Sequence, residues 1–123
     1  MRLSICNDLF VDRPVASFYR QARRAGFSGV ELDANNIGDE GTLKRAIRDE
    51  GLSLVGFHWL FPRDSELNLL HPNSLIRKRS WDHLLKMADR CHQMEGSILV
   101  LGSGEQRRRV GQPLELVTHR FEE

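Results

Sequence analysis

Apolar and polar positions along the chain change period in a repeated order. Leu3 to Cys6 is a short apolar run and predicts a first strand. Val15, Phe18, Ala22 and Ala25 then recur at helical spacing. Asp12 and Pro14 open that helix, because proline suits a first turn with no donor to lose. Gly26 ends it, since glycine takes a left-handed cap without strain. Gly29 to Asp33 predicts a second strand, and a turn-rich stretch from Asn35 to Gly41 follows. A short helix from Thr42 to Glu50 places Leu43, Ala46 and Ile47 inward, with Gly51 as its cap. Leu52 to His58 predicts the third strand, and Pro62 and Pro72 interrupt the loop from Leu60 to Asn73. The longest helix runs from Ser74 to Glu95, with Trp81, Leu84, Leu85, Ala88, Cys91 and Met94 on its buried face. Gly96 caps it, and Ser97 to Leu101 is the fourth strand. A Gly/Arg-rich loop from Gly102 to Gln112 leads to Pro113, which opens a last amphipathic segment with Leu114, Val117 and Phe121 on one face.

The repeating unit is helix, capping glycine, apolar strand. Strands that alternate with helices imply a parallel sheet. A dinucleotide fold would need glycines at the first strand–helix junction. That junction reads Asn7-Asp8-Leu9-Phe10-Val11-Asp12-Arg13-Pro14 and has none. Polar residues instead gather where strands end, at Asn7, Asp33, His58 and Ser103, as barrel chemistry requires. The predicted fold is therefore α/β, a partial (β/α)8 TIM barrel of four strand–helix units with the last helix incomplete. Residues 1–123 form one domain, the N-terminal half of a barrel, which reads as truncated because Phe121-Glu122-Glu123 is still helical in pattern.

Composition narrows the function classes only a little. The 123 residues include 18 basic and 17 acidic ones, for a formal charge of +1, so nothing global favours nucleic acid or an anionic membrane. No run approaches a membrane span, and Met1 to Asn7 does not resemble a signal peptide, which predicts a cytoplasmic protein. Cys6 and Cys91 lack metal-knuckle spacing and read as buried thiols. His83 and His92 read as structural.

Strand alternation assigns the candidate residues. Leu54, Gly56 and His58 share one face, and Val55, Phe57 and Trp59 the other. With Val55 and Phe57 outward, His58 points into the barrel mouth. It reads there as a general acid, a substrate hydrogen bond or a ligand, or as a structural histidine bonded to a carbonyl. Glu31 faces inward, where a carboxylate is costly unless paired or functional. It is a candidate catalytic group, or one half of an ion pair that closes the barrel floor. Asn7 reads equally as a partner for a sugar hydroxyl or as a loop cap. Trp59 either stacks on a sugar ring or simply packs. Ser103, Gln106 and Arg107 form a loop suited to a phosphate or carboxylate, or a solvated basic loop.

Four segments together resemble the sugar phosphate isomerase/epimerase family, which has the xylose isomerase-like barrel. They are Leu3-Ser4-Ile5-Cys6-Asn7, Ala25 to Leu32, Val55-Gly56-Phe57-His58-Trp59-Leu60, and Ile98 to Ser103 with Gln106-Arg107. The resemblance covers nearly the whole chain in order and spacing. It implies a small sugar, keto acid or phosphorylated derivative as substrate, and proton transfer between adjacent carbons. It also implies a divalent metal (Mn, Mg, Co or Zn) whose main ligands lie on later strands, so no metal ligand is assigned here. Leu101 stands where some relatives place a histidine before the glycine. Two other readings stay open. One is a non-catalytic half barrel that self-associates through its open edges or needs a complementing half. The other is a metal-dependent nuclease for abasic DNA sites, which shares the barrel type.

Overall fold

The computed structural model describes residues 3–10, 15–102, 106 and 108–122. The strands are β1 (Ser4–Cys6), β2 (Gly29–Asp33), β3 (Ser53–His58) and β4 (Ile98–Leu99), and the helices are α1 (Val15–Arg24), α2 (Glu40–Asp49), α3 (Ser74–Gln93) and α4 (Leu114–Glu122). All strand pairs are parallel, and the sheet order is β1-β2-β3-β4. An order that follows the chain, with no reversal, is that of a barrel wall. A doubly wound sheet would change direction at a switch point.

The core lies between the outer sheet face and the helices. Val30, Leu32, Leu54 and Phe57 from the strands meet Phe18, Tyr19, Ala22, Ile47, Met87, Cys91 and Met94 from the helices. Full burial of a side chain such as Phe57 contributes about 1.5–3 kcal/mol. α1 presents Tyr19 to this core, and Ala25, expected there, is exposed. α3 is rotated by one position from the expected face. Its inward stripe is Ser80, Leu84, Met87, Cys91 and Met94, while Trp81 and Leu85 are exposed. Ser80 holds a core position because its hydroxyl donates to Ile76 O and accepts from Asn68 N, so it enters with its polarity satisfied.

β3 departs from strict alternation. The register against β2 runs Val30↔Leu54 and then Glu31↔Gly56, so Val55 is an extra residue, a bulge. Leu54 therefore packs with Phe57 on the helix side, not with His58 as strict alternation predicts. Val55, expected outward, lies on the inner face: a Cβ added to Gly29 would sit 2.6 Å from its Cγ2 and 3.5 Å from Ser4 Cβ. The bulge leaves His58 inward all the same.

β4 is shorter than the expected Ser97 to Leu101. It has one neighbour, and Ile98, Val100 and Leu101 are exposed. The left-handed residue that ends α3 is Glu95 (φ 68°), not Gly96. Gly96 is needed for space, since a Cβ there would lie 2.6 Å from Cys91 Sγ. Among the described residues, no helix is long and apolar enough to cross a membrane.

Candidate active site at the strand ends

β1, β2 and β3 turn Ser4, Cys6, Glu31 and His58 to the same inner face. Cys6 is opposite Glu31 in the ladder, and Asp33 is opposite His58. Glu31 lies deepest. Ser4 Oγ donates to its Oε1 at 2.7 Å, and the Cys6 thiol donates to its Oε2 at 3.5 Å. Among the described residues no lysine or arginine pairs with Glu31. Burial, and then the Glu31 carboxylate, push the Cys6 thiol up to about 11.

His58 is buried, and its Nε2 lies 3.0 Å from Asp8 Oδ1. Asp8 follows β1 on a short 3-10 turn (Asn7–Phe10). The other Asp8 oxygen accepts from Trp59 Nε1 at 2.7 Å, so one carboxylate fixes both rings. Burial opposes ionisation of Asp8. The hydrogen bonds from His58 and Trp59, with the nearby charges of His58 and Arg63, outweigh it and hold the carboxyl below its usual value. A carboxylate accepts from Nε2–H, which leaves Nδ1 as the lone-pair nitrogen of the ring. That Nδ1 is buried and has no hydrogen-bond partner among the described residues.

Trp59 reaches Asp8 through an unusual backbone, with φ 49°. Left-handed geometry is costly for a bulky side chain and persists only where surroundings hold it. Asn35 provides the hold, donating from Nδ2 to the carbonyls of Trp59 and Phe61. The Arg63 guanidinium lies 5.0 Å from the indole centroid, so it already covers part of the surface that a sugar ring would use.

The structure thus brings Glu31, His58 and Trp59 together at one end of the sheet. Asn7 stands beside them, and its Oδ1 accepts from Asp33 N at 2.8 Å, which ties the end of β1 to the end of β2 rather than capping its own loop. Asp33 in turn caps the next turn through Asn35 N. Gln106, expected to bind substrate, is buried elsewhere. Its Oε1 accepts from Leu69 N at 3.0 Å and its Nε2 donates to Leu67 O at 2.6 Å, so both ends of the amide are committed to a loop. Ser103 and Arg107 lie outside the described residues. His83 is structural as expected, with Nε2 2.8 Å from Leu60 O. Asp8, Asn35 and Arg63 complete the site without a motif to mark them. Asp8 does have one signal, its position directly after Asn7 at a strand end.

Among the described residues, the carboxylates at the strand ends do not gather into the hard, carboxylate-rich site that Mg2+ or Mn2+ prefers. At the rim, Asp8 is committed to two rings and Asp33 to a backbone cap. The described donor group is Cys6, Glu31 and His58, with one potential ligand atom from each within 4.8 Å of the others.

Comparisons with known proteins bear on the family and the fold. Comparison with curated proteins gives no match. Among solved structures, the crystal structure of an AP endonuclease, family 2, from Brucella melitensis superposes with a TM-score of 0.73 at 21% identity. A xylose isomerase domain protein from Alicyclobacillus acidocaldarius superposes with a TM-score of 0.57 at 13% identity. Each alignment covers 98% of this chain and 46% of the other, so the chain spans just under half the length of either. Residues 19–122 match the family described as Xylose isomerase-like TIM barrel, and with that match across most of its length the chain belongs to this family.

Proposed function

We propose that this chain supplies one wall of the active site of a sugar isomerase or epimerase, with proton transfer handled by Glu31 and by His58 held on Asp8. The observation behind this reading is the Asp8 carboxylate at the strand ends, 3.0 Å from His58 Nε2 and 2.7 Å from Trp59 Nε1.

Isomerisation of a hydroxy-carbonyl compound removes a proton from the carbon beside the carbonyl. The proton then returns to the neighbouring carbon, or to the other face of the same one. The reaction needs a carboxylate base and a proton donor near the oxygens. Glu31 suits the first role, since it faces inward and lacks a cationic partner among the described residues. His58 suits the second, because Asp8 holds its ring in place at the strand ends. Trp59 and the Arg63 guanidinium over its ring form a lip at the edge of the site. The resemblance puts the main ligands of the implied metal on later strands, so no step is routed through a metal here.

The test uses the whole protein in which this segment occurs, incubated with aldoses, ketoses and their phosphates in deuterated water. Exchange of deuterium into the carbon beside the carbonyl is expected. Glu31→Gln should slow it by about a hundredfold or more, in the range of general-base removal. Absence of exchange with every sugar, together with cleavage of abasic duplex DNA, would replace this reading with the nuclease one. A nuclease surface must meet phosphates with a basic face, and the near-neutral charge of this chain does not favour that.

A further inference from the structure

We propose that Cys6, Glu31 and His58 form a cation site for a borderline-soft divalent ion, with Zn2+ or Co2+ as the fitting class.

Three observations converge on it. The first is geometric: one donor atom from each residue lies within 4.8 Å of the others, and the three residues come from three adjacent strands. A tetrahedral ion with bonds of about 2.0–2.3 Å sets its ligands roughly 3.5 Å apart. The group therefore has to close by only about an ångström, a side-chain adjustment.

The second is the orphaned nitrogen. His58 is 8% exposed, and its Nδ1 is buried with no partner among the described residues. A buried polar atom without a partner is costly to the fold, and a ligand that pairs it removes that cost. A histidine that gives one ring N–H to a carboxylate and keeps the other nitrogen bare has the form of a metal-ligating imidazole. Asp8 is that carboxylate, at 3.0 Å.

The third is charge. Glu31 is half-buried, and among the described residues no basic side chain pairs with it. A thiolate and a carboxylate together balance one divalent ion, and the neutral imidazole completes a site of zero net charge. Metal uptake would release the Cys6 proton to solvent. The sulfur selects Zn2+ or Co2+ over Mg2+. Three protein ligands leave a fourth position for water or a substrate oxygen. Occupation also takes the lone pairs that Glu31 and His58 need for proton transfer. The ion then acts as a brake on the isomerase, a consequence that alone rests on the function proposed above.

Titrating the reduced, metal-free chain with Co2+ tests the site without any activity assay. One equivalent should bind with a near-ultraviolet sulfur-to-cobalt band, and Zn2+ should displace it. Cys6→Ser should abolish the band, and Cys91→Ala should keep it. His58→Gln should weaken uptake by at least about tenfold, with circular dichroism confirming that each variant folds. No uptake by the folded parent chain overturns the site. So does a band that survives Cys6→Ser, or binding that shows no sulfur band. Isomerase activity without Co2+ binding would sink this proposal alone, and Co2+ binding without isomerase activity would sink only the functional one.

Discussion

Asp8 shows how much one side chain can organise. Its two oxygens orient two rings from a different strand end, and the carboxyl is held below its ordinary value of 3.8. Burial works against that shift, and the hydrogen bonds from His58 and Trp59 prevail over it. A carboxyl depressed in the folded state stabilises the fold above its unfolded value. The stabilisation is lost as pH falls through the folded value. Asp8→Asn removes this term and leaves the other carboxyls in place. The parent should therefore melt above the variant at neutral pH, by about 1 kcal/mol or less given the exposure of Asp8. The gap should hold down to about pH 5 and shrink below about pH 4. Thermal melts of both proteins across that range check it. A gap independent of pH would show that Asp8 acts through shape and not through charge.

At the scale of elements, periodicity located what a local pattern can locate. β2 runs from Gly29 to Asp33 as its alternation requires, and every helix lies where its spacing puts it to within a few residues. The bulge at Val55 was not legible, because nothing in Leu54-Val55-Gly56-Phe57 distinguishes a bulge from plain alternation. The rotated face of α3 was not legible either, since Ser80 is admitted by hydrogen bonds from distant backbone. Gln106 is the same case. Its loop position suggested a ligand, but its amide holds the segment between β3 and α3 through Leu67 and Leu69. Asn68 joins that hold, with its Oδ1 accepting from Leu70 N at 2.7 Å. Gln106→Ala would leave a buried N–H and a carbonyl unpaired, at a cost of about 1–3 kcal/mol. Urea unfolding should show that loss. Amide exchange should quicken at Leu69 and stay unchanged in β2, whereas uniform acceleration would mean that Gln106 supports the whole fold.

At the scale of the molecule, the wall has two open sides. Among the described residues, β1 and β4 each have one neighbour, and Leu3 beside β1 and Ile98, Val100 and Leu101 at β4 are exposed. An unpaired parallel edge with apolar side chains invites another strand. All four strands point the same way, so a second copy turned by half a rotation about the barrel axis would lay its β1 beside β4 in parallel. Its own β4 would meet the first β1, and eight strands would close with no edge left. The inner-face residues Glu31 and His58 would then appear twice around one interior. Produced as this 123-residue chain, the protein should accordingly scatter light as a dimer. Ile98→Lys, which places a charge on the exposed β4 edge, should shift it to monomer with its circular dichroism intact. A parent chain that is monomeric at high micromolar concentration would show that the edges are protected in some other way, and the closed eight-stranded arrangement would fall.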